Sequence, residues 1–154
     1  MTVLAFAADA LGNTTTVSAV SPLPTIAGAG AVGAAGYVNG ATPITASSGN
    51  VANAPAVATL AGVAAKTTYI NGFQCTASGA TAGLAVNVTV AGCVTGTMTY
   101  AFVFPAGVLA ATPLLVTFPE PIPASTVNTA IVVTLPASGA GGTNASVSAQ
   151  GFQV

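Results

Sequence analysis

Apolar side chains recur at every second position through much of the segment 56–154. Within 84–90 the even-numbered residues are Leu or Val, whereas Asn87 and Thr89 occupy the opposite face. Because the side chains of a strand point alternately to opposite faces, this repeat indicates strands with one buried face. The same repeat predicts strands around four further stripes: Tyr69, Phe73 and Cys75; Met98, Tyr100, Phe102 and Phe104; Leu114, Val116 and Phe118; Ile131, Val133 and Leu135.

Turn-forming residues separate these stripes, as in Ser78–Ala80, Pro105–Gly107 and Ser138–Gly142. No segment has the apolar period and the end signals of a helix. We therefore predict an all-β fold, in which residues 56–154 form an antiparallel, jelly-roll-like β-sandwich of about six to eight strands. In the tail Ala145–Val154 the alternation changes phase at Gly151, which predicts a β-bulge.

Residues 1–55 have a different character, with Pro, Gly, Ala, Ser and Thr mixed without a sustained period. The segment Ser21–Pro24 is expected to be extended because Pro fixes φ, and Ile26–Gly40 is rich in Gly with little bulk to bury. We expect an extended N-terminal arm with short strands around Thr14–Val20 and Ala41–Thr45, ordered against a neighbouring molecule.

Charged side chains are almost absent from the chain, since Asp9, Lys66 and Glu120 are its only Asp, Glu, Lys or Arg residues. One Lys cannot neutralise a row of phosphates, which excludes nucleic acid as a partner and also a polybasic membrane contact. His is absent as well, so a Ser or Cys nucleophile lacks the usual proton acceptor, and we expect no enzyme activity. Two acids and two thiols form no zinc or calcium ligand set, so we expect no metal and no cofactor.

No apolar run reaches the ~20 residues that a membrane-spanning helix requires. The segment Met1–Leu11 has no basic residue and contains Asp9, which argues against a signal peptide. We expect the chain to be made in the cytoplasm and to act there or within an assembly.

The two cysteines, Cys75 and Cys93, define no disulfide framework. A hairpin centred near Thr81 would place Cys75 opposite Asn87 and leave Cys93 out of register. Two small buried side chains are one interpretation. A disulfide within or between chains is the other, and it would require an oxidising exterior.

Several stretches of the sequence resemble small β-sandwich proteins of tailed bacteriophages, of the kind that decorate or cement capsids. Small, mostly uncharged residues flank short apolar runs in all of these stretches. The stretches are Asp9–Asn13, Val17–Pro24, Ala46–Ala54, Val57–Ala61, Lys66–Phe73, Gly96–Tyr100, Pro121–Ser125, Thr129–Thr134 and Gly139–Phe152. The resemblance implies a structural protein of the virion and carries no active site with it.

The resemblance leads us to expect a decoration or cement protein that is made in the host cytoplasm and binds the outside of a phage head. Its partners would be the major capsid protein and further copies of itself, most simply as a trimer. Contacts made of apolar area and neutral hydrogen bonds suit such a shell because salt does not screen them. The alternatives are a fibre, tail or adhesin module that binds a receptor or glycan through loops at one end of the sandwich, and a secreted surface-layer or matrix protein.

Overall fold

The computed structural model describes residues 5–8, 14–17, 40–108, 110–139 and 141–154. Every regular element in these residues is a β-strand. Near the N terminus, β1 (Ala5–Ala8) pairs with β2 (Thr14–Val17) in antiparallel register, with Ala5 opposite Val17. The strand β2 overlaps the strand expected at Thr14–Val20, and the Pro-containing and Gly-rich parts of the predicted arm lie outside the described residues up to residue 39.

The structure describes eight further strands, all in residues 40–154. They are β3 (Thr42–Ser47), β4 (Ala56–Leu60), β5 (Thr68–Ser78), β6 (Leu84–Ala91), β7 (Met98–Phe104), β8 (Leu114–Pro123), β9 (Ile131–Leu135) and β10 (Asn144–Gln153). The first sheet has the strand order β3-β10-β5-β8, and the second sheet has the order β4-β9-β6-β7. All neighbouring strands are antiparallel.

Successive strands alternate between the two sheets, except that β6 and β7 form a hairpin within the second sheet. This is the connectivity of a jelly roll, in which a long folded ribbon of strands rolls up into two facing sheets. The prediction of an all-β, jelly-roll-like sandwich is therefore confirmed.

The sandwich begins earlier than the boundary expected at residue 56. The strand β3 forms an edge of the first sheet, where Ser47 lies opposite Ser148 of β10 and Thr42 lies opposite Gln153. Its outward face is exposed and its inward residues, Ile44 and Ala46, are only partly buried. A short edge strand of this kind has little apolar period, so the sequence around it looks like part of an arm.

A hairpin centred near Thr81, which would place Cys75 opposite Asn87, does not form. The strand β5 lies between β10 and β8 in the first sheet, so Cys75 is opposite Val147 on one side and Leu114 on the other. Asn87 lies in the second sheet, on β6, opposite Ala101. In a jelly roll a short connection crosses from one sheet to the other as readily as it closes a hairpin. Proximity in sequence therefore does not indicate which residue lies opposite Cys75.

The inner faces of both sheets supply one hydrophobic core. Among its most deeply buried side chains are Phe104, Leu60, Ile70, Ile131 and Leu135. Burial of each such side chain contributes about 1.5–3 kcal/mol to folding. The alternation predicted for β7, β8 and β9 matches the pattern of burial along these strands, whereas the stripe of β6 is exposed at its first residue, Leu84.

A bulge interrupts the pairing of β5 with β10. Gly72 lies opposite Gln150 and Ile70 lies opposite Gly151, so Asn71 is an extra residue on β5. The irregularity predicted at Gly151 is thus present, but the inserted residue belongs to the neighbouring strand. Because Asn71 reverses the alternation, Tyr69 lies on the face opposite to Phe73, and the prediction that these two residues share a face was wrong.

Candidate functional site

The few charged residues of the chain are not brought together into a reactive cluster in the part that the structure describes. Lys66 lies in the connection between β4 and β5, where its Nζ donates a hydrogen bond to Oγ1 of Thr42 at 3.2 Å. Glu120 lies exposed on β8 between two prolines. Asp9 falls outside the described residues. Lys66 thus anchors the start of β3 to a loop.

Both cysteines are buried and free, at separate places in the sandwich. Burial raises the pKa of the Cys75 thiol from 9.0 to about 12, and burial also raises the pKa of Cys93. Cys93 lies in the turn after β6, where its main chain pairs with that of Ala124 in an isolated antiparallel β-bridge. A buried thiol with a raised pKa stays protonated near neutral pH and is a poor nucleophile and a poor metal ligand.

Metal-ligand side chains do not cluster in threes or more anywhere in residues 40–108, 110–139 and 141–154. The described segments also contain no helix of the length and apolarity that a membrane crossing requires.

Neutral hydrogen bonds hold the last strand of the sandwich to the connection between β4 and β5. Nε2 of Gln153 donates to the carbonyl oxygen of Ala61 at 2.6 Å and to Oγ1 of Thr68 at 3.2 Å. The Thr68 hydroxyl donates to the same carbonyl at 3.3 Å. Both side chains are buried. The cluster attaches the last strand to the β4–β5 connection by contacts that neither salt nor pH weakens.

The connections at one end of the sandwich form a compact set, which we call the valine end, made of residues 61–67, 92–97, 124–130 and Val154. Main-chain hydrogen bonds tie it together: Val94 donates to Pro123, Ser125 to Gly92, and Asn128 to Lys66. Its exposed apolar side chains are Val63, Val94, Val127 and Val154. The end is therefore rigid at the backbone and apolar at its tips.

The opposite end, made of residues 48–55, 79–83, 105–108, 110–113, 136–139 and 141–143, is rich in glycine. Gly79, Gly107, Gly139 and Gly141 have positive φ, a conformation that costs a side chain-bearing residue free energy. Val108 is 94% exposed there. Main-chain hydrogen bonds tie this end together as well, since Gly107 donates to Ala80 and Asn53 donates to Gly142.

The outward face of the first sheet carries a shallow groove of about 350 Å³, which we call the Gln74 groove. Amides of Gln74 and Gln150 and the hydroxyls of Thr45 and Ser148 supply its polar groups, and Leu115 supplies an exposed apolar wall. No charged residue lines it. Neutral donors and acceptors beside an apolar patch are the chemistry that a neutral polar ligand would require.

The outward face of the second sheet carries Thr, Val, Ala and Asn side chains. Pairing places Val57 opposite Thr134, Thr134 opposite Thr89, and Thr89 opposite Thr99 across all four strands. None of these strands contains a charged residue or a proline. The face is a neutral surface, and β7 is an edge strand of its sheet.

Sequence reasoning missed the Gln74 groove, because its side chains come from four strands whose neighbours in space are distant in the chain. Thr45, Gln74, Leu115 and Gln150 have no common spacing or motif. Their only local signal is that each one is an outward residue of a strand, and many residues of this chain share that property.

Comparison of the chain with protein-family models, with curated proteins and with solved structures finds no match.

Proposed function

We propose that the chain is a structural protein of a virus particle, a decoration or cement protein that binds the outside of a phage head. The observation that carries the proposal is the near absence of charge from both outward sheet faces. Of the strands in the sandwich, β8 is the one that contains an Asp, Glu, Lys or Arg residue, Glu120. A small jelly roll with such faces is suited to permanent packing against other neutral β surfaces.

The requirements of a shell support this choice. Surface ion pairs are worth little and weaken with salt, whereas apolar area and neutral hydrogen bonds keep their strength outside the cell. The chain contains no His, so it lacks the side chain that ordinarily titrates near neutral pH. Jelly rolls are common among viral capsid proteins, although fold alone does not specify function.

The partners that we propose are the major capsid protein and further copies of this chain, with the virion surface as the location. Net charge of −1 gives little repulsion between copies. The proposed chemistry of contact is burial of Thr, Val and Ala surface, with no role for nucleic acid, a membrane, a metal or a cofactor.

Quantification of the protein in purified particles tests this function. We expect hundreds of copies per head, and we expect heads that lack the protein to release DNA at a lower temperature than complete heads. Purified protein should rebind such heads equally well in about 0.05 M and about 1 M salt, because neutral contacts are not screened. Absence of the protein from purified heads would refute the proposal.

A second candidate is a fibre, tail or adhesin module that binds a glycan or receptor. The Gln74 groove favours it, since sugars are bound through neutral hydrogen bonds and apolar contact. Copy number separates the two functions, because a tail component would be present in a handful of copies. Gln74→Ala and Gln150→Ala should abolish glycan binding under this function, whereas under the decoration function the unsubstituted protein should bind no glycan.

A further inference from the structure

We propose that β7 is a self-association edge, through which two copies of this chain pair antiparallel and join their second sheets into one continuous sheet. The proposal concerns the isolated protein in solution. It goes beyond the decoration role and does not depend on it.

The other three edges of the sandwich each carry a feature that discourages strand pairing. The edge strand β8 contains Pro119, Pro121 and Pro123, which lack a backbone N–H, and it also contains the charged Glu120. The edge strand β3 contains Pro43. The edge strand β4 is only 5 residues long and follows Pro55 directly. Prolines, charges and short length are the devices by which proteins protect sheet edges.

The edge strand β7 carries none of these devices. It has 7 residues, Met98–Phe104, without proline, glycine or charge, and it is the last strand of its sheet. Val103 is 61% exposed. Along the C-terminal half of the strand a groove of about 440 Å³ separates β7 from Ala110–Leu114. An uncharged edge strand with open space beside it is a template for another strand.

The composition of β7 makes a second β7 a suitable partner. With Ala101 opposite Ala101 of the partner subunit, all seven residues pair and the arrangement has two-fold symmetry. Thr99 then lies opposite Val103 of the partner subunit on the outward face. On the inward face Tyr100 lies opposite Phe102 of the partner subunit. Pairs of aromatic and β-branched residues are among the cross-strand contacts that stabilise antiparallel sheets.

Charge and symmetry also favour this arrangement. No strand of the second sheet contains a charged residue, so no like charges meet when two copies approach. A two-fold contact uses the same surface on both subunits and closes on itself. The geometry therefore points to a dimer rather than to the trimer that the sequence analysis expected. The two outward faces of the joined sheet lie on the same side and form one neutral surface of double width.

The first test compares two single substitutions at opposite edges of the same sheet. Ala101→Lys places two like charges directly opposite each other in the proposed register, and Val57→Lys adds the same charge to the outward face of β4. We expect the unsubstituted chain and Val57→Lys to have twice the 14.5 kDa mass of the chain in sedimentation experiments. Ala101→Lys should be a monomer, with a dimer dissociation constant raised at least about tenfold.

Residue 101 is exposed on the outward face, so we expect Ala101→Lys to fold like the unsubstituted chain. Circular dichroism and thermal unfolding of the variant provide this control. A monomeric or trimeric unsubstituted chain at about 100 μM, a dimeric Ala101→Lys variant, or equal dissociation of both Lys variants would overturn the proposal.

The second test examines the register. A cysteine introduced by Ala101→Cys faces its own counterpart across the two-fold axis, so diamide should oxidise the two thiols to an intermolecular disulfide. Thr99→Cys faces Val103 of the partner subunit and should give little cross-linked dimer under the same conditions. The native thiols of Cys75 and Cys93 are buried. Equal cross-linking of both variants, or none with Ala101→Cys, would contradict the register.

Discussion

The two sheets of this sandwich are built from the same neutral residue types but differ in regularity. The first sheet contains the Asn71 bulge, proline in both of its edge strands and a groove on its outward face. The second sheet pairs without a register shift, contains no proline in its strands and presents an outward face rich in Thr, Val and Ala. In a chain that has almost no charge to protect its edges, the prolines of β3 and β8 and the short length of β4 leave β7 as the edge that we propose is open to another copy.

The two sheets therefore suit different kinds of binding partner. Irregularity in the first sheet creates concave features such as the Gln74 groove, into which a small neutral ligand could fit. Regularity in the second sheet creates a surface that another sheet can extend or cover. The following substitutions test that contrast, in order of expected effect.

The largest effect should come from the inner face of the second sheet, where Phe104 is 1% exposed. Phe104→Ala removes an aromatic ring that makes an edge contact with Phe102 at 5.2 Å between centroids. We expect the free energy of unfolding in urea to fall by about 3–5 kcal/mol. Val103→Ala, on the exposed face of the same strand, should change it by less than about 0.5 kcal/mol. Similar losses for both variants would show that β7 is not packed in this way.

The bulge in the first sheet should be the next most sensitive feature. A Cβ on Gly151 would overlap the backbone carbonyl oxygen of Tyr69, which cannot move without disturbing the pairing of β5 with β10. We expect Gly151→Ala to lower the free energy of unfolding by about 1–3 kcal/mol. Ser148→Ala, on the outward face of β10, is the control and should have almost no effect. A neutral Gly151→Ala would contradict the close approach of the two strands.

Alkaline pH should destabilise the first sheet through Cys75. Because burial raises the pKa of this thiol from 9.0 to about 12, its contribution to stability is fully present below pH 9 and is lost as the pH rises toward 12. Urea unfolding measured from pH 7 to pH 11 should show a decline that begins near pH 9. In Cys75→Ala the decline should be shallower. An identical decline in this variant would assign the effect to other groups.

Removal of one edge proline should have the smallest effect on stability and a clear effect on association. Pro121→Thr restores a backbone N–H to the exposed edge strand β8, and it should change the free energy of unfolding by less than about 1 kcal/mol. Light scattering at high concentration should detect faster self-association than in Pro136→Ala, which alters a proline outside the strands and next to the interior strand β9. If Pro121→Thr associates no faster, the prolines of β8 do not protect that edge.

Much of the fold follows from the alternation of apolar and polar residues. Ile131, Val133 and Leu135 predict β9 and its buried face because apolar residues at every second position indicate a strand with one buried face. Phe102 and Phe104 predict the inner face of β7 for the same reason. The strand β3 was assigned to an arm because Pro43 and its exposed neighbours lack such a stripe.

Pairing between strands was less accessible to sequence reasoning than the strands themselves. The position of Cys75 opposite Val147 depends on a contact across 72 residues, and no local feature encodes it. The orientation of Tyr69 depends on one inserted residue, Asn71, since a single extra residue reverses every side chain beyond it. Tyr69 consequently stacks on Phe152 of β10 at 4.8 Å between ring centroids, on the outward face of the sheet.

The sequence by itself determined that the sandwich is all-β, and it determined the residue types of the chain, which has no His and only three Asp, Glu, Lys or Arg residues. These properties depend on residue type and local period, which need no knowledge of neighbours. The tertiary structure alone decided the jelly-roll pairing, the Gln74 groove and the open edge at β7. These depend on which distant segments become neighbours, because a groove or an edge is a property of several strands together.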